Sequence, residues 1–165
     1  LVQPALGRLA AQGGVIAMGV EVTGMQSAVV LALSRSDQPF RFHTDVGSQF
    51  NALVSATGRL IAAHNGESWT QLRKRFEKIT WDQAPSFDTW KSEVEQSKAL
   101  GWSLDRDNFM SGVTVIAVPV LAQSGRMTHT LAAVGLTSHL DLGAVNALAA
   151  RMLQEARQLA GALPG

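Results

Sequence analysis

A chain of 165 residues, 46% apolar and 16% charged, can bury one core without staples and reads as a single domain over 1–165. Its 14 basic and 13 acidic residues leave a formal charge of +1, too weak a field to gather phosphates or anionic lipids, which disfavours nucleic-acid binding by this segment. With no cysteine it has neither disulfide nor thiolate metal site, which fits a cytoplasmic protein, and no apolar run approaches the roughly 20 residues of a membrane helix. Low charge and a positive mean hydropathy point to apolar surface hidden in a partner, hence to an oligomer.

Val2, Leu6, Leu9 and Ala10 recur at helical spacing, which predicts a helix over 2–12 that ends at Gly13-Gly14. The chain starts at Leu1 already inside this pattern, so it reads as a fragment of something longer. Runs of β-branched and small apolar residues predict antiparallel strands at 15–20 and 27–34, with a turn at Thr23-Gly24, and a short third strand at 41–44. A turn follows over 45–48. Phe50, Leu53, Val54, Leu60 and Ile61 then fit a helix over 49–63, interrupted near 55–58, with Ser55 as N-cap of its second half.

Polar, charge-mixed stretches at 68–78 and 87–100 read as surface helices separated by Pro85. Strands are expected at 102–104, 112–121 and 127–136, the last two joined by a polar turn at 123–126. Asp141 is placed to cap a closing helix, whose apolar residues from Val145 to Ala160 recur three and four apart. Direct hairpins outnumber crossovers, so the fold class is α+β with an antiparallel layered sheet.

The chemistry-bearing residues are sparse. Asp105 either points into a cavity or stabilises a turn, and in an extended segment it would share a face with Asp107. His43, His64, His129 and His139 lie far apart without metal-ligand spacing, so no metal or other cofactor is expected. Ser55, His129 and Asp105 can be drawn as a triad, but no nucleophile elbow supports it and no catalytic residue is assigned. Arg73, Lys74, Arg75 and Lys78 make the one basic cluster, read as a solvated helix face. Trp69, Trp81, Trp90 and Trp102 share no period and read as separate packing anchors, Trp90 or Trp102 being able to line an interface. Ala56, Thr57 and Gly58 open a helix with small side chains, which suits either a carboxylate on free backbone N–H groups or close helix–sheet packing.

In order along the chain stand Val46-Gly47-Ser48, Ser55-Ala56-Thr57-Gly58-Arg59, Gly101-Trp102-Ser103-Leu104-Asp105, a strand ending Ala117-Val118-Pro119-Val120, and Gly125. Together these blocks resemble the effector-sensing domain of IclR-type bacterial transcriptional regulators. The resemblance implies a GAF-like antiparallel sheet flanked by helices, with a small effector held between the sheet and the helix start above it. It also implies a homo-oligomer, dimer or tetramer, and DNA reading by a separate N-terminal winged helix-turn-helix that is not in this chain. By position it places the effector on Phe42, Phe50, Ala56, Thr57, Gly58, Asp105, Val113, Val115, Ala132 and Val134. Relatives that bind small oxoacids tend to carry hydroxyls on the last strand and a polar or thiol group on the central one. Ala132, Val134 and Val115 stand here instead, which favours a larger carboxylic acid, partly apolar or aromatic. The alternatives are a GAF-like signalling domain of another protein, or a small enzyme on the same scaffold.

Overall fold

The structure is a computed structural model that describes residues 2–23, 27–35 and 44–161. In chain order it runs α1 (Gln3–Gly13), β1 (Ile16–Thr23), β2 (Ser27–Ser34), β3 (Gln49–Asn51), α2 (Ser55–His64), α3 (Trp69–Phe76), α4 (Phe87–Leu100), β4 (Ser103–Arg106), β5 (Val113–Leu121), β6 (Met127–Leu136) and α5 (Leu142–Ala160). Six strands form one sheet in the order β3-β2-β1-β6-β5-β4, and every neighbouring pair is antiparallel. The α+β class and the antiparallel sheet flanked by helices are as the sequence indicates.

Period-2 alternation divides the strands between two cores. Val15 and Ala17, with Ile116, Val118, Val120, Leu131 and Ala133, face α1 and α5. Their neighbours Ile16, Met18, Val20, Val113, Val115, Ala117, Ala132 and Val134 face the opposite side, where Ala56 and Leu60 of α2 pack. A third core joins α2, α3 and α4 through Leu53, Ile61, Leu72, Phe76, Trp90 and Val94.

Local chemistry accounts for most boundaries. Gly14 ends α1 in the left-handed region at φ 63°, and its N–H reaches the Ala10 carbonyl. The side chains of Ser68, Ser86 and Asp141 cap α3, α4 and α5 by accepting from the N–H groups of Gln71, Thr89 and Ala144. The turn at 45–48 closes through the Ser48 N–H and the Asp45 carbonyl, as predicted.

Two expectations are corrected. Residues 49–54 are not helical, because Phe50 pairs with Ala28 and adds β3 to the edge of β2. Sheet pairing overrides the helical spacing of a short apolar run there. Ser55 is not an N-cap either, since Val54 holds that position in extended backbone and makes no side-chain cap bond. The strand expected at 41–44 lies almost wholly outside the described residues.

The tryptophans are less separate than their spacing suggests. Trp69, Trp81 and Trp90 converge with Phe76 and Phe87, the Phe76 and Trp90 rings lying 5.1 Å apart, and Trp81 meets Phe109 edge-on at 6.3 Å. Trp90 is fully buried and cannot line an outer interface. Trp102 stands apart, half-buried against the α5 side. The basic run behaves as a solvated face: Arg75 pairs with Glu67 through two hydrogen bonds, and Arg73 pairs with Glu77.

Candidate effector cavity

Between the sheet and the start of α2 lies a small cavity of about 60 Å³ that opens at a mouth. Its floor is built from cross-strand partners. Val115 lies opposite both Val134 and Asp105, Met18 opposite Ala132, Val20 opposite Val30, and Ala28 opposite Phe50. Asn51, Ala52, Val54, Ser55 and Thr57 form the rim above, while Phe109, Met110 and Val113 close one side. Small side chains at 28 and 132 leave the space that larger residues would fill.

The structure therefore brings Phe50, Thr57, Asp105, Val113, Val115, Ala132 and Val134 into one cavity wall. Ala56 stands just behind that wall, fully buried, and its carbonyl accepts a 2.6 Å hydrogen bond from the Ser103 hydroxyl. Gly58 is also behind it. The Gly58 N–H is already bonded to the Val54 carbonyl at 2.8 Å, so it is not a free donor for a ligand. A Cβ at position 58 would fall on the Leu53 carbonyl group, so only glycine lets the turn close this tightly onto α2. The N–H groups that helix geometry leaves without an internal acceptor are those of Ser55, Ala56 and Thr57. Phe42 lies outside the described residues.

Asp105 serves both readings that its sequence context left open. It lines the cavity, yet its oxygens are already engaged: Oδ2 accepts from Arg59 Nη1 at 2.8 Å, and Oδ1 accepts from the backbone N–H groups of Asn108 and Phe109 at 3.2 Å each. Asp107 does not share its face. At φ 67° it accepts from the Gly112 N–H and the Thr137 hydroxyl, a turn role without a catalytic partner.

Arg59 is the residue that sequence reasoning quoted without giving it a part. Fully buried on α2, it donates to the Ser55 carbonyl at 3.0 Å and to the Asn108 side-chain oxygen at 3.0 Å, and it lies 3.4 Å from Glu93 of α4. Its guanidinium also sits over the Trp81 ring, 5.8 Å from the centroid. One buried cation thus ties together the helix start, the β4–β5 loop and the aromatic cluster. An arginine one turn into a helix that begins with small residues, with Asp105 as a candidate without a named counter-charge, was the available signal. Met18, Val20, Ala28, Val30 and Met110 were missed for a plainer reason, being apolar residues that look like any other core position.

The other polar groups assemble nothing catalytic. His129 lies on β6 beside Thr128 and Glu21, away from the cavity, so the triad drawn with Ser55 and Asp105 does not form. Among the described residues no three His, Asp or Glu side chains gather as a metal would require. His64, at the end of α2, has its pKa lowered, chiefly by burial and then by the charge of Lys98.

Comparison with known proteins adds the family. Residues 2–161 match the family described as bacterial transcriptional regulator IclR, C-terminal. Among solved structures, an IclR transcriptional regulator of Alicyclobacillus acidocaldarius superposes with a TM-score of 0.80 at 18% identity, over 96% of this chain and 64% of the other. The IclR protein of Thermotoga maritima gives 0.82 at 14% identity, over 98% and 66%. The repressor BlcR of Agobacterium tumefaciens gives 0.75 at 19% identity, over 93% and 60%. This chain thus spans roughly two thirds of those regulators, and the likeness to them is one of fold. No curated protein matches.

Proposed function

The chain belongs to the IclR C-terminal family of bacterial transcriptional regulators, a family of regulators rather than enzymes, and on that premise we propose that it is a ligand-sensing domain whose effector occupies the cavity under α2. The observation that carries this reading is the cavity itself: apolar walls from the sheet meet one polar end at the start of a helix. An acid with a hydrophobic body suits that arrangement, its carboxylate at the Thr57 N–H and its body against Phe50, Val113, Val115, Ala132 and Val134. A small acid with several polar groups suits it poorly, because Val115, Ala132 and Val134 offer no hydrogen bonds and unpaired polar groups are costly to bury.

The rest of the mechanism follows from linkage. An effector regulates only if it binds two arrangements of an oligomer unequally, so we read the domain as a homo-oligomer in the cytoplasm. It reaches DNA through a separate domain. Among the described residues no helix is long and apolar enough to cross a membrane.

Calorimetry and thermal shift with aromatic and aliphatic carboxylic acids test this. A ligand that binds only the folded state raises its melting temperature with concentration. Thr57→Trp, which fills the rim, should abolish binding and leave the fold intact. Unchanged affinity in that variant would move the site elsewhere. Light scattering at micromolar concentration should give at least a dimer, and a gel shift with this chain alone should show no sequence-specific DNA binding.

A further inference from the structure

Two unfavourable features meet at Ser55. Its backbone sits at φ 60°, a region that glycine enters freely and that strains other residues. Its hydroxyl is buried without a hydrogen-bond partner, in a residue only 8% exposed that lines the cavity. Buried hydroxyls are ordinarily paired, and a glycine here would remove both costs.

The surrounding contacts hold this arrangement in place. The Ser55 carbonyl accepts from Arg59, Arg59 is fixed by Asp105, and Asp105 is fixed in turn by the Asn108 and Phe109 N–H groups. Among the other polar side chains lining the cavity, Asp105 is engaged as described and the Asn51 oxygen accepts from the Leu53 N–H at 3.0 Å, whereas Ser55 carries the fully enclosed hydroxyl that has no partner. From this we infer that the Ser55 hydroxyl is the specificity-determining donor of the site, giving its hydrogen bond to a carboxylate oxygen of the effector. The inference rests on the cavity being the effector site. It adds which side chain reads the polar end, and that Arg59 and Asp105 act as positioning residues which hold that donor ready before the ligand arrives.

The test uses benzoate, phenylacetate and hexanoate as probes, with the whole chain and the variants Ser55→Ala, Ser55→Gly and Thr57→Trp. Both Ser55 variants should weaken the best probe about tenfold, the loss of one hydrogen bond. Neither should lower the melting temperature, and Ser55→Gly should raise it, since glycine accepts φ 60° without strain. A merely structural serine would behave oppositely, losing stability and affinity together or affinity not at all. If wild type and both Ser55 variants bind equally while Thr57→Trp does not bind, the assignment to Ser55 fails and the cavity reading stands. If Thr57→Trp also binds normally, or wild type binds none of the three acids, the cavity reading itself falls and takes the inference with it.

Discussion

Ala132 and Ala133 are neighbours on β6, both buried, yet one faces a cavity and the other a filled core. The same holds along β5, where Val115 lines the cavity and Ile116 packs under α5. The difference lies in what covers each face. On one side the 19-residue α5 lays Val145, Leu148, Ala149, Met152 and Ala156 across the strands, with α1 beside it. On the other, the 10-residue α2 begins with Ser, Ala, Thr and Gly, small side chains that leave part of the floor uncovered. A single sheet can therefore carry one filled face and one face with a cavity when a short helix with small first residues covers the second.

Substitutions should separate the two faces. The largest loss is expected at the polar end of the cavity: among the described residues, Asp105→Ala leaves buried Arg59 with the partly exposed Glu93 as its remaining counter-charge. Urea denaturation should show a cost of about 3 kcal/mol or more, the range for breaking a buried ion pair. A loss under about 1 kcal/mol would mean that Arg59 finds another partner. Next comes the adjacent pair on β6. Ala133→Val overpacks the α5 face and should cost about 1–3 kcal/mol, whereas Ala132→Val projects into empty space and should change stability by under about 1 kcal/mol while weakening effector binding. Equal costs for the two would abolish the distinction between the faces.

The smallest effect is one of pH. His64 has a folded pKa below its ordinary 6.5, so the unfolded chain binds the extra proton first as pH falls. Its contribution is therefore neutral above 6.5 and destabilising below it, growing until the folded pKa is passed. Melting temperatures of His64→Gln and wild type should diverge between pH 7 and 5, the variant losing less. Parallel curves would remove His64 from that pH dependence.

How much of this was legible in the sequence depended on whether a signal was local. Asp141 and the spacing from Val145 to Ala156 give α5 because capping and periodicity are properties of adjacent residues. The alternation that places 113 with 115 and 132 with 134 on one face is equally local, and it located much of the floor. By contrast, β3 exists because Phe50 meets Ala28, and the Arg59–Asp105 pair spans two elements far apart in the chain. Such partners leave no trace in spacing. The left-handed Ser55 was hidden for a different reason: it sits in a backbone turn so tight that a Cβ on Gly58 would meet Leu53, and serine itself signals only a cap.

The order β3-β2-β1-β6-β5-β4 also governs time. The β1–β2 and β5–β6 hairpins join nearby residues, while the seam between β1 and β6 pairs Ile16 with Val134, near opposite ends of the chain. Closing that seam meets most of the loop entropy before its contacts repay it, so docking of the two hairpins sets the pace of folding. The cavity floor straddles the seam, with Met18 contributed from one side and Ala132 from the other. Half-assembled chains therefore have no floor to offer, and a ligand seated in the cavity would act on the rate of unfolding, holding the two halves together and leaving the rate at which they first meet unchanged.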